Sequence, residues 1–216
     1  GRKCAYLWVD ALRYELGVEL ERSMSDEASV ELKVGLAHLP TITPVGMASL
    51  LPGAAATLSM SHTGTDLALK LGDQPVLNVP QRMGVFERLL NDRFEEMTIV
   101  DFLKPRKKIA STTDLLVLRS TEIDSLLETD PASTLSSVPT TLTQIRAAVH
   151  KLLGLGFVQV VIVSDHGFFL NLEPEAGDVC QKPNGTWKEI HNRFMIGSGV
   201  EDSNNFVVSA DKLGIR

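Results

Sequence analysis

Three short motifs in this sequence carry side chains suited to holding a divalent cation. In LWVDALR, residues 7–13, Asp10 follows an apolar run and precedes a helical pattern. In VIVSDHG, residues 161–167, Asp165 and His166 stand side by side at the end of a second apolar run. A carboxylate beside an imidazole is a natural ligand pair for zinc or manganese. In LPTITPVGMASLLPG, residues 39–53, Pro40 and Pro44 bracket Thr41 and Thr43 ahead of a short helix. A threonine at a helix N-terminus has its hydroxyl in a positive field, where metal coordination lowers its pKa and prepares it as a nucleophile. Each motif also has a plainer role. Asp10 and Thr43 suit helix caps, and Asp165 to Gly167 suit a polar turn. The adjacency of Asp165 and His166 argues against a serine–histidine–aspartate relay through that pair.

The apolar runs ahead of these motifs supply the strands that would hold them. Ala5 to Val9 reads as a buried strand, and Leu12, Leu16 and Leu20 follow at helical spacing. Val30, Leu32, Val34 and Leu36 alternate with Glu31 and Lys33, which predicts a half-buried strand. Met47 to Leu51 opens a helix that Pro52 and Gly53 stop, and residues 54–75 read as a long functional loop or small excursion. Gln81 to Asp92 reads as a helix, and Met97 to Phe102 and Leu115 to Arg119 as strands. Residues 129–140 read as a loop before an amphipathic helix marked by Leu142, Ile145, Val149 and Leu152. Val158 to Val163 gives a central strand, 170–190 an irregular stretch, and Phe194 to Ile196 and Phe206 to Val208 late strands. Short strands alternating with helices predict an α/β fold, layered α/β/α with a largely parallel central sheet. In such a sheet ligands bind beyond the carboxyl ends of the strands, where Asp10 and Asp165 fall.

The chain has 216 residues and a net charge of −6, with Lys104 to Lys108 as its one basic cluster, so bulk charge announces no nucleic-acid surface. Cys4 and Cys180 are far apart and lack metal-ligand spacing, which predicts buried free thiols in a reduced cytoplasm. No apolar run approaches the length of a membrane span, and no GxxxxGK[ST] motif supports a P-loop. His38, His62 and His150 have no partners at ligand spacing. Residues 1–216 are expected to form one domain, an excised piece of a longer protein.

Taken together, VDALRYELG, TPVGMASLLPG, STEIDSLLE, TQIRAAVHKLLGLGF, VIVSDHGFF and HNRFMIG resemble, in order, the PglZ domain of bacterial phage-defence (BREX) systems. That domain belongs to the alkaline-phosphatase superfamily. The stretch TITPVGMASLLPG also resembles the nucleophile segment of nucleotide pyrophosphatase/phosphodiesterases. There the metal-bound threonine precedes a serine by six places and a glycine by ten, a spacing held by Thr43, Ser49 and Gly53.

The resemblance implies two divalent ions, zinc or manganese, acting on a phosphate mono- or diester, nucleic acid among the candidates. Asp10, Thr43, Asp165 and His166 would hold the first ion, with Thr43 as catalytic nucleophile. The second site would use Asp124, Glu128 and His191, with Glu128 standing where the superfamily has histidine. Arg193 would contact the substrate phosphate, or be a surface arginine at a strand start. Two ions together would clamp the attacking and leaving oxygens. The resemblance also implies other phage-defence proteins as partners and no membrane. The alternative is a non-catalytic metal-binding scaffold, or a partner-binding subunit, of a defence complex.

Overall fold

The computed structural model describes the chain except residues 1, 64–65, 170–172, 174, 176, 179, 192–193, 202 and 214–216, with backbone alone for 62, 63, 66, 131 and 132. In chain order the elements are β1 (Cys4–Val9), α1 (Tyr14–Met24), α2 (Thr43–Ser49), α3 (Ala54–Thr57), β2 (Leu58–Thr63), β3 (Asp66–Leu71), β4 (Gln74–Pro75) and α4 (Val79–Leu90). They continue with β5 (Phe94–Thr98), α5 (Ile99–Leu103), β6 (Leu115–Ser120), α6 (Glu122–Thr129), α7 (Pro131–Gly154), β7 (Gln159–Val163), β8 (Gly185–Ile190) and β9 (Met195–Gly199).

Four strands form a wholly parallel sheet in the order β5-β6-β1-β7. Side chains alternate along β1, and that alternation divides the core in two. Ala5, Leu7 and Val9 face Leu20 and Met24 of α1, Phe102 of α5, Ile123 of α6 and Ile145, Ala148 and Leu152 of α7. Trp8 faces Val45 and Met47 of α2, Met60 and Leu69 of β2 and β3, and Met83 and Phe86 of α4. Helices thus cover both faces of the sheet, which is the expected α/β/α layering. No helix among the described residues is long and apolar enough to cross a membrane.

Several local expectations are corrected. Of the two readings of residues 54–75 the small excursion fits, since among the described residues β2, β3 and β4 form an antiparallel sheet in which Met60 and Leu69 are buried. Residues 30–36 form no strand, and Val34 and Leu36 stand 72% and 99% exposed. The strand expected at 97–102 ends at Thr98, whose hydroxyl accepts from the Asp101 N–H and so starts α5. Most of 129–140 is helical, as the first part of α7, with Asp130 accepting from the Ser133 N–H and Pro131 in the first turn. β7 is an end strand of the described sheet rather than a central one. Residues 206–208 form no strand. Of the two free cysteines Cys4 is half-buried, whereas Cys180 is exposed rather than buried.

Candidate metal centre

The parallel sheet brings the ends of β1 and β7 side by side, and the first two motifs leave from those ends. The Asp10 N–H still bonds the Ser120 carbonyl at 2.9 Å, so the chain leaves β1 only after Asp10. Ala11 then takes a left-handed φ of +56°, costly for a residue with a Cβ, and its N–H donates to Asp165 Oδ1 at 3.2 Å. The His166 N–H donates to the same oxygen at 2.9 Å. Two backbone donors therefore fix Asp165 through Oδ1, and its Oδ2 is buried with no hydrogen-bond partner. His166 Nδ1 lies 2.9 Å from the Gly167 carbonyl, which can only accept. The ring proton belongs on Nδ1, and the Nε2 lone pair is left for another ligand.

Thr43 arrives from the opposite side, as the first residue of α2. It does not cap that helix, whose N-cap is Ile42. Its Oγ1 lies 3.4 Å from Asp10 Oδ1 and 3.3 Å from His166 Nε2. Asp10 is no cap either, since α1 begins only at Tyr14. The helix carrying Thr43 sits this close because Gly46 has no side chain. A Cβ there would meet Asp165 Cβ at 2.6 Å and the Asp165 carbonyl oxygen at 2.8 Å.

The donor atoms fit a small divalent ion. His166 Nε2 is 3.7 Å from Asp10 Oδ1 and 3.4 Å from Asp165 Oδ2. With Thr43 these are four edges of a ligand tetrahedron, and arms of about 2.1 Å imply edges of about 3.4 Å. Asp10, Asp165 and His166 are 3%, 3% and 5% exposed, and they are the one group of possible metal ligands found among the described residues. Two buried carboxylates and an orphaned oxygen call for a cation.

With no ion to offset them, burial first, and then the charges of Asp165 and Asp124, push the Asp10 carboxyl up from 3.8 to about 8. The Thr43 hydroxyl pulls weakly the other way. A folded-state pKa above the unfolded value means that folding takes up a proton. That stabilisation is whole below pH 3.8 and is lost as pH rises through about 8. The metal-free protein is therefore expected to show a falling melting temperature between about pH 5 and 8, a slope that Asp10→Asn removes. Added Mn²⁺ or Zn²⁺ should release a proton on binding and abolish the slope. Identical slopes for wild type and Asp10→Asn in chelator would contradict this account of Asp10.

The remaining candidates lie elsewhere. Asp124, on α6, is half-buried and close enough for its charge to act on Asp10. Glu128, one turn on, is exposed. The His191 side chain is 52% exposed, stacks on Phe194 at 4.5 Å and lies 3.7 Å from Glu189. Neither joins the cluster around Asp10. Arg193 lies outside the described residues. Ser49 Oγ bonds the Gly46 carbonyl within α2, and Gly53 holds a left-handed φ of +82° just before α3.

Sequence reasoning passed over two arginines near the site. Arg82 and Arg119 line a cavity shared with Trp8, Asp10 and Thr43. Arg119 is held by Glu96, with Nε and Nη2 each 2.8 Å from Oε2. Arg82 stands four residues before Phe86 on α4, so it falls on the face that Phe86 buries. That spacing was legible.

Over residues 1–215 the chain matches the family described as the BREX system PglZ alkaline phosphatase-like domain. It is 24% identical over 226 residues to the "alkaline phosphatase-like protein BrxZ" of Escherichia coli O9:H4 (strain HS), covering 92% of this chain and 26% of that protein. It is 26% identical over 212 residues to the "alkaline phosphatase-like protein PglZ" of Bacillus cereus (strain H3081.97), covering 91% and 24%. The chain thus spans about a quarter of the length of these relatives. No solved structure matches it. On the breadth of the family match, with the parallel sheet and the Asp–Asp–His cluster at its carboxyl edge, the chain belongs to the PglZ alkaline phosphatase-like family.

Proposed function

We propose that the chain is a metal-dependent hydrolase of phosphate mono- or diesters, with Thr43 as its nucleophile, working alongside other phage-defence proteins. One observation carries the reading. Thr43 Oγ1 lies within 3.4 Å of both Asp10 Oδ1 and His166 Nε2, in a cluster whose spacing suits a tetrahedral ion. Asp10, Asp165 and His166 would hold the ion, which lowers the pKa of a coordinated hydroxyl and offsets charge on a phosphate. The protein's own groups do the rest. Asp10 Oδ1, 3.4 Å from the Thr43 hydroxyl, holds that oxygen beside the ion site, and the Thr43 proton would leave to solvent. Thr43 Oγ1 then bonds to phosphorus as the P–O bond to the ester oxygen breaks, and that oxygen takes up a proton from solvent to leave as the alcohol. Water hydrolyses the phosphothreonine, releasing phosphate from a monoester or a phosphate monoester from a diester, and restores the Thr43 hydroxyl.

The donor set of two carboxylates, one imidazole and a hydroxyl suits zinc or manganese. The separation of Glu128 and His191 from the cluster favours one tightly held ion. A second ion would have to centre on Asp124.

Metal analysis of the purified protein, paired with a panel of aryl phosphate mono- and diesters and a single-stranded oligonucleotide, tests the proposal. About one equivalent of Zn²⁺ or Mn²⁺ per chain is expected, with hydrolysis lost in chelator and restored by that ion. Asp165→Asn should lower metal affinity by about a hundredfold. Turnover indifferent to chelator would sink the reading. Stoichiometric metal with no turnover of any ester would leave a metal-binding scaffold instead.

A further inference from the structure

The segment that leads from α1 to α2 carries an alternating pattern that nothing among the described residues satisfies. Val30, Leu32, Val34 and Leu36 alternate with Glu31 and Lys33. The Glu31 and Lys33 side chains meet at 3.1 Å, so they project the same way, as residues two apart do along a strand. The apolar positions divide along the segment. Val30 packs against the core that holds Leu20 and Met24 of α1, and Leu32 Cδ1 lies 3.3 Å from where a Cβ on Gly17 would stand. Val34 and Leu36, further along the same alternation, are 72% and 99% exposed. Among the described residues, no N–H or carbonyl between 30 and 36 takes part in a backbone hydrogen bond. The segment thus has the composition and the free main-chain groups of an unpaired edge strand, with a bare apolar end.

Its charges select a partner. Consider the segment laid antiparallel on a second copy of itself, with Leu32 opposite Leu32. Glu31 then stands opposite Lys33 of the second copy, and Lys33 opposite its Glu31, while Val30 and Val34 oppose each other. Val34 of each copy comes to lie beside the Val30 that already packs on the other's core. Leu36 comes to lie beside Ala28, which is half-buried. Slipping by two residues sets Lys33 against Lys33 in one direction and Glu31 against Glu31 in the other. Slipping by one sets the apolar row against the charged row. Of these registers only the first satisfies both faces.

We propose that residues 30–36 pair with the same residues of a second copy of this chain, as a two-stranded antiparallel ribbon whose register Glu31 and Lys33 set. The two copies are related by a two-fold axis at Leu32, so each contact occurs twice. The dimer depends on neither the metal centre nor the hydrolase reading. One short ribbon is at the small end of specific interfaces, so a dissociation constant on the order of 10 µM is expected.

Sedimentation velocity of the whole chain, over concentrations about tenfold either side of that value, tests the proposal. Wild type is expected to pass from monomer to dimer. Glu31→Lys and Lys33→Glu each leave like charges opposite, and each alone should weaken self-association at least about tenfold. Mixed in equal amounts, the two variants oppose an all-basic strand to an all-acidic one, and the mixture should dimerise as wild type does. The double variant E31K/K33E is self-complementary again and should recover wild-type association. Both side chains are more than three-quarters exposed, at 77% and 78%, so the variants should melt as wild type does. A chain that is monomeric at every concentration overturns the proposal and leaves Val34 and Leu36 to a strand of another protein. A dimer indifferent to the single variants, or a mixture of them that stays monomeric, overturns it as well.

Discussion

Replacing Thr43 with alanine is expected to cut hydrolysis of a responsive phosphate ester by at least about a thousandfold. Melting temperature and metal content should change little. The expectation follows from where the hydroxyl lies. It bridges Asp10 Oδ1 and His166 Nε2, and it belongs to a half-buried residue that contributes no capping bond to α2. The single hydroxyl proton is shared between acceptors at 3.4 and 3.3 Å, and losing so long a contact costs stability on the order of 1 kcal/mol. Losing a nucleophile removes the covalent route entirely, which is worth far more in rate. Thr43→Ser keeps the oxygen and should keep most of the activity. Thr41→Ala should be mild, because Thr41 is two residues removed from the hydroxyl that meets the cluster. Equal losses from Thr41→Ala and Thr43→Ala would mean that the nucleophile register is wrong.

The parts of this molecule that were legible in the sequence are those whose neighbours are dictated locally. Ala5 to Val9 and Leu115 to Leu118 are apolar on both faces because helices cover both sides of the sheet, so a bare apolar run sufficed. Asp10, Thr43, Asp165 and His166 follow or precede such segments, and the α/β architecture then brings them to one edge. What failed depends on partners far away in the chain. The alternation at 30–36 is a real pattern, yet among the described residues it pairs with no strand, and the backbone stays irregular. In the opposite sense, 54–75 lacked an obvious period but held Leu67, Leu69 and Leu71 and a two-residue Gly72–Asp73 turn, with Gly72 at φ +59°. The start of α7 looked like a loop because Ser, Thr and Pro disfavour helix interiors. There, Thr134 and Thr143 satisfy themselves on carbonyls four residues back, and Ile145, Ala148 and Leu152 anchor the helix to the sheet. Arg82 was missed for a different reason. Its position on the Phe86 face is visible, but its lack of a carboxylate partner is a three-dimensional fact.

Gly46 gives the sharpest contrast between local propensity and tertiary contact. In an ordinary helix Gly→Ala gains about 1 kcal/mol. Gly46→Ala is expected to do the reverse, destabilising the protein by about 1–3 kcal/mol. The new Cβ would stand 2.6 Å from Asp165 Cβ, 2.8 Å from its carbonyl oxygen and 3.0 Å from its carbonyl carbon. None of those atoms is the far end of a flexible side chain. Asp165 is pinned through Oδ1 by the Ala11 and His166 N–H groups, so relief must come from moving the α2 backbone or the β7 exit. Either movement separates Thr43 from His166 or Asp165 from Asp10. Divalent-metal affinity should therefore fall at least about tenfold, together with the melting temperature, and turnover should fall further than metal loading at saturating ion. Gly53→Ala serves as the comparison, since Gly53 would meet only the Thr57 hydroxyl at 3.9 Å and its cost comes from its left-handed φ of +82°. That variant should lose stability while its metal affinity is retained. A Gly46→Ala protein that melts higher than wild type and binds metal as tightly would show that α2 does not rest on Asp165. The contact that seats Thr43 over the cluster would then have to be sought elsewhere.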